Sequence, residues 1–158
     1  MSDDIFYCKS WSVGYKEPIE LYNKDVAFNL HIKGESYTAL LGSKTTPSCF
    51  INVMKNKGWV SISFLDSCLR EYLLYNFRLL NDDKLFLSMA VHQEFLNDSE
   101  TVSNATMYVF KESGNITIQE KKIGQHSLQE RESFTDVTGN YDKFPEFGKY
   151  ESIIRVER

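Results

Sequence analysis

Alternation of apolar and polar positions recurs along most of this chain, in short runs separated by clusters of Asn, Asp, Gly and Ser. A period of two marks a strand whose side chains point alternately to two faces. The richest stretch is Leu69 to Phe95, LREYLLYNFRLLNDDKLFLSMAVHQEF, where two apolar runs flank Asn81-Asp82-Asp83. Asn and Asp side chains bond to their own backbone, so this cluster predicts the turn of a hairpin. In the first run Tyr72, Leu74 and Asn76 would share one face, and Leu73, Tyr75, Phe77 and Leu79 the other. Apolar side chains on both faces predict a central strand covered on both sides. A helix from Asp66 to Leu80 is the competing reading, with Asp66 as N-cap and Leu69, Leu73 and Phe77 on one stripe.

The same pattern predicts a first strand over Ile5 to Trp11, then a loop or irregular helical turn over Gly14 to Lys24. Val26, Phe28, Leu30 and Ile32 alternate with Ala27, Asn29 and His31, which predicts a half-buried strand turning at Lys33-Gly34-Glu35 into Tyr37 to Leu41. Cys49 to Met54 and Trp59 to Leu65 flank Asn56-Lys57-Gly58 as another hairpin. Leu96 to Ala105 reads as a polar loop. Thr106 to Lys111 and Ile116 to Glu120 form a hairpin about Ser113-Gly114-Asn115. Arg131 to Thr138 is a further strand, Gly139 to Lys149 an aromatic loop, and Tyr150 to Val156 a closing strand with Ile154 and Val156 on one face. The expected fold is mainly β: an antiparallel meander forming a barrel-like or strongly bent sheet, with room for one short helix. No repeat or linker breaks residues 1–158, so one domain is expected.

Composition changes this picture little. The 42% hydrophobic and 25% charged residues are ordinary globular values, and no apolar run approaches a membrane span. The N-terminus, MSDDIFYCKSW, is acidic and resembles no secretory leader. Cys8, Cys49 and Cys68 are widely spaced, as expected of reduced thiols in a cytoplasmic protein, with Cys49 and Cys68 as core fillers. A net charge of −4 disfavours nucleic acid and suits a basic protein partner.

Candidate chemistry is sparse. His31, His92 and His126 fit no metal-binding spacing, and His92 with Glu94 is one same-face pair on a strand, so no metal or other cofactor is expected. No nucleophile elbow or phosphate loop occurs, and Gly34, Gly42, Gly58 and Gly114 are isolated turn glycines. Glu130, Glu132 and Asp136 could pair as acid and base, but acidic strand faces are more often plain surface. No catalytic residue is assigned.

The distribution of carboxylates is more informative. Glu94, Asp98 and Glu100 fall in a stretch without bases. Glu130, Glu132, Asp136, Asp142 and Glu146 follow, interleaved with Phe134, Tyr141, Phe144 and Phe147. Aromatic anchors among carboxylates suit an interface for a basic protein: the rings supply buried area, and the charges speed encounter. The plain alternative is a solvated rim with rings turned into the core.

The C-terminal stretch TDVTGNYDKFPEFGKYESIIRVER, with Asn140-Tyr141, Pro145-Glu146-Phe147-Gly148 and Tyr150, resembles the ends of bacterial toxin-immunity proteins, in particular those of contact-dependent growth inhibition systems. That resemblance implies a protein that binds the C-terminal toxin domain of a cognate effector, commonly a basic nuclease, and covers its active site or substrate surface. With no apolar run of membrane length and a net charge of −4, neither a membrane nor a nucleic-acid partner is expected. The toxin-binding candidates are then Asp98, Glu100, Glu130, Glu132, Asp136, Asp142 and Glu146 for charge, with Tyr141, Phe144 or Phe147 as anchors. The rival reading is a small hydrophobic-ligand carrier, a β-barrel with Trp59, Tyr72, Phe77 and Phe86 around a cavity.

Overall fold

The computed structural model describes residues 4–81 and 83–158. Eleven strands form one antiparallel sheet. They are β1 (Ile5–Ser12), β2 (Glu17–Tyr22), β3 (Tyr37–Leu41), β4 (Cys49–Met54), β5 (Trp59–Leu65), β6 (Glu71–Leu79), β7 (Lys84–Phe95), β8 (Val102–Phe110), β9 (Asn115–Lys122), β10 (Gln129–Phe134) and β11 (Tyr141–Lys143). The order is β10-β9-β8-β7-β6-β5-β4-β3-β1-β2, with β11 beside the start of β7. The sheet does not close into a barrel: β10 and β2 end its main path, and the short β11 forms a further edge beside β7. It is the strongly bent meander, with a single α-helix among the described residues, α1 (Lys24–Lys33).

The inner face carries the main core: Tyr7, Tyr37, Ile51, Val53, Val60, Ile62, Phe64, Leu73, Tyr75 and Phe77. It is covered by Ala27 and Leu30 of α1 and by Phe144, Phe147, Tyr150 and Ile153 of the C-terminal segment. A smaller cluster lies on the outer face, where Cys8 and Trp11 of β1 pack on Leu40, Phe50 and Leu65. The distal half of the β1–β2 hairpin therefore bends over the outer face. Its tip is held by Lys16, whose Nζ donates to the Cys68 carbonyl at 2.9 Å and to Glu100 Oε1 at 2.6 Å. The strand covered on both sides is β3, all five residues of which are buried. β6 is central, but only Leu73, Tyr75 and Phe77 are buried, and Tyr72, Leu74 and Asn76 are half-buried.

The central hairpin forms as expected. Asn81 Oδ1 accepts from the backbone N–H of Asp83 at 3.2 Å and of Lys84 at 3.1 Å, the side-chain-to-backbone turn anticipated for this cluster. Asp82 lies outside the described residues. The helix competing for residues 66–80 does not form. Asp66 instead closes a turn, accepting from Cys68 N and Arg70 N and pairing with the Arg70 guanidinium.

Five expectations are corrected. Residues 24–33 are helical, not extended. Asn23 is the N-cap, its Oδ1 accepting from Val26 N at 2.9 Å, and Gly34 ends the helix at φ 72°. The buried side is set by Ala27 with Leu30 and His31, at helical spacing, while Val26, Phe28 and Ile32 are exposed. Glu17–Tyr22, read as part of a loop, is strand β2, and Val102 to Ala105 extend β8. Residues 151–154 form turns, and no strand runs through 150–156. The Ile153 and Ile154 N–H groups both reach the Tyr150 carbonyl, which sends Tyr150 and Ile153 into the core together. Cys49 is buried as expected, but Cys68 is exposed and no core filler.

Candidate functional site: the acidic edge and the outer groove

The candidate carboxylates fall in different parts of the molecule. Asp98 and Glu100 lie in the 96–101 loop, beside the 123–128 loop, since Ile123 N–H bonds the Ser103 carbonyl at 2.8 Å. Glu130 and Glu132 sit on β10, which starts at this end of the sheet. Asp136, Tyr141 and Asp142 are at the opposite end, where Thr135 N–H meets the Gly114 carbonyl and β11 meets the start of β7. Phe144 and Glu146 belong to the segment that covers the inner face.

Several are engaged within the fold. Asp142 is nearly buried and ion-paired to the buried Arg158 at 2.7 Å, with Ser152 Oγ donating to its other oxygen at 3.0 Å. Burial opposes its charge, but the hydrogen bonds from Arg158, the Lys143 N–H and Ser152 outweigh it and hold the carboxyl below its ordinary value. Tyr141 packs on Phe86 with centroids 5.1 Å apart and donates to Glu112 Oε1 at 3.0 Å. Phe144 lies 5.8 Å from the His31 ring and takes Lys55 Nζ over its face. Phe147 stacks on Tyr7 at 4.9 Å. Asp136 accepts from Thr138, Glu146 pairs with Lys149, and Glu100 pins Lys16.

What stays open is β10. All six of its residues are exposed, so neither of its faces is covered. Glu130, Glu132 and Phe134 share one face by alternation, above Gln119, Thr117 and Asn115 of β9. Phe134 is 79% exposed, and Leu128 and Ile123 beside the strand are also exposed. Gln119 Nε2 donates to Glu130 Oε1 at 3.4 Å, and among the described residues neither Glu130 nor Glu132 has an ion-pair partner. Of the four rings interleaved with the C-terminal carboxylates, Phe134 is the one left free.

A second feature escaped the sequence reading. The row Thr38, Asn52, Ser61, Asn76 and Met89 runs across five strands of the outer face, each residue opposite the next. Thr38 Oγ1 donates to Asn52 Oδ1 at 2.7 Å, and Asn52 Nδ2 donates to Ser61 Oγ at 3.4 Å. Asn76 Oδ1 is buried without a hydrogen-bond partner among the described residues. Two open hollows of about 510 and 420 Å³ meet at Trp59 and Asn76. Glu71 lines the larger, and burial raises its pKa although Ser63 hydrogen-bonds to it. Single-strand alternation could show these as outward positions. Only the strand order reveals that they line up.

His31, Tyr37 and Tyr150 form a buried chain, with His31 Nδ1 2.8 Å from Tyr37 Oη and the two phenol oxygens 3.0 Å apart. Burial pushes both phenols well above their ordinary range, while burial and nearby Lys55 lower the His31 pKa. The chain ties α1, β3 and the C-terminal segment together. Among the described residues no cluster of three or more His, Cys, Asp or Glu side chains could hold a metal ion. No described helix is long and apolar enough to cross a membrane. Compared with family models, curated proteins and solved structures, the chain gives no match.

Proposed function

We propose that this protein is an inhibitor that binds a basic protein domain and neutralises it by covering its functional surface, as a toxin-immunity protein does. The observation that carries this reading is β10, exposed at every position and presenting the unpaired Glu130 and Glu132 beside the free ring of Phe134. Unpaired surface carboxylates steer a cationic partner, and an exposed aromatic ring beside them supplies area to bury on docking. Asp98, at the end of the sheet where β10 begins, extends the negative field; Glu100 is neutralised by Lys16, and Asp142 and Phe144 serve the fold. A toxin that acts on nucleic acid carries the basic surface such a face would meet.

The test is protection. The tagged protein is recovered from its native cell, the co-purifying domain is identified by mass spectrometry, and that domain is expressed with and without this protein. The reading predicts a stoichiometric complex and growth rescued by co-expression. A domain equally toxic in both conditions, or a protein recovered alone, overturns it.

The outer groove favours a second reading, a small-ligand site. The carrier idea moves from a barrel interior to this open face, because the sheet does not close and Phe77 and Phe86 are fully buried. Trp59 between the two hollows would report binding through its fluorescence. Saturable quenching by an apolar dye, lost in Leu74→Asp, would support that reading, and no saturable change would remove it.

A further inference from the structure

We propose that β10 receives an extended, cationic segment of the partner as an added antiparallel strand. This rests on the reading of β10 as the partner surface, though not on the partner being a toxin. A terminal strand presents backbone N–H and C=O groups that nothing in its own sheet satisfies, and proteins usually blunt such edges. The two strands that end the main path of the sheet differ. β2 carries Pro18, which has no N–H to offer, and Glu20 at φ 53°, beside a break in the residue-by-residue pairing with β1. That edge is bent and short of a donor. β10 pairs with β9 at six consecutive positions without a register shift and contains no proline. Its outer edge is straight and open.

Charge selects the occupant. Two copies joined edge to edge about a two-fold axis perpendicular to the sheet must place some residue opposite itself. Centred on Glu130 or Glu132 the pairing sets carboxylate against carboxylate. Centred on Arg131 it sets Arg against Arg and Glu130 against Glu132 twice, and centres at Gln129, Ser133 or Phe134 avoid like charges only by leaving at most three β10 residues of each copy paired. Like charges directly opposite destabilise a strand pair, and opposite charges stabilise it. A second copy is therefore disfavoured. An antiparallel partner strand would meet Phe134, Glu132 and Glu130 in turn. The segment that fits reads apolar-x-cation-x-cation: main-chain hydrogen bonds supply affinity, and the alternate side chains supply specificity.

The probe is a capped peptide, Val-Thr-Lys-Thr-Lys-Thr, titrated into the full-length protein at low salt and followed by backbone amide NMR. Three controls accompany it: a peptide with Glu in place of Lys, one with alternate backbone nitrogens methylated, and the Glu130→Lys, Glu132→Lys variant. Expected are shifts centred on residues 129–134, with slowed exchange of the β10 amides that face away from β9. N-methylation should weaken binding by at least about tenfold, as the loss of two or more net hydrogen bonds implies. The Glu peptide should not bind, and the Lys variant should not bind the Lys peptide. Equal affinity for the methylated peptide overturns strand addition while leaving β10 as a charged docking face. Shifts located elsewhere, or no binding while the double variant still weakens the natural complex, overturn it equally. If the double variant leaves the natural complex unchanged, the reading of β10 as the partner surface is what fails.

Discussion

Gly34 shows how one position can decide an element. It ends α1 at φ 72°, and a Cβ there would stand 2.4 Å from Asn56 Oδ1. That contact cannot simply relax, because Asn56 N–H bonds the Gly34 carbonyl and Asn56 Nδ2 bonds the Lys33 carbonyl. Gly34→Ala should cost about 1–2 kcal/mol for the left-handed backbone alone, more with the clash, as read by urea unfolding. An unchanged midpoint would show that the turn has another conformation. His31 makes a pH prediction. Its folded pKa is lowered from 6.5, first by burial and then by Lys55, so below the ordinary value the unfolded chain binds the proton that the folded one refuses. Its contribution is present above 6.5 and is lost as pH falls from there toward the lowered folded value. Thermal unfolding at pH 7.5 and 5.5 should show a drop for the native protein and a smaller one for His31→Gln. Equal drops would remove His31 as the cause.

Among elements, the sequence was legible where neighbouring residues decide the outcome and opaque where distant ones do. The Asn81 turn, the hairpin about Gly58 and the hairpin about Gly114 carry local signals, and all three form. α1 was misread because Val26, Phe28, Leu30 and Ile32 alternate like a strand, although Asn23 and Gly34 supplied caps at both ends. What makes the helix pay is Ala27 and Leu30 covering the inner face, which is a tertiary fact. The C-terminal segment was misread as a strand for the same reason. Its place is set by Tyr150 and Ile153 in the core, by the Tyr75 hydroxyl donating to the Val156 carbonyl, and by Arg158 lying over Phe77 and against Asp142. Asp142→Asn leaves that guanidinium short of its anion and should destabilise by about 2–3 kcal/mol. With its folded pKa lowered, Asp142 contributes above about pH 4 and loses that contribution as pH falls through the folded value. The Asn variant should lack this part of the acid transition. A variant that unfolds like the native protein at neutral pH would show that the tail is not held by this pair.

At the scale of the whole molecule, the bend of the sheet sorts the surfaces. The inner face is closed by α1 and the C-terminal segment, the outer face is crossed by the β1–β2 hairpin, and β10 is left outside both. That Glu130 and Glu132 share a face was legible in the sequence, because a same-face pair needs only alternation. That Asp142 and Phe144 turn inward was not identifiable, since their partners Arg158 and His31 come from other elements. If β10 meets a basic partner, the encounter is steered by charge and its rate depends on salt. The association rate of the co-purified partner domain should be measured against ionic strength for the native protein and for Glu130→Lys with Glu132→Lys. Electrostatic steering predicts a low-salt rate reduced by about tenfold or more and a flatter salt dependence in the variant. An unchanged low-salt rate with the same salt slope would move the interface away from β10.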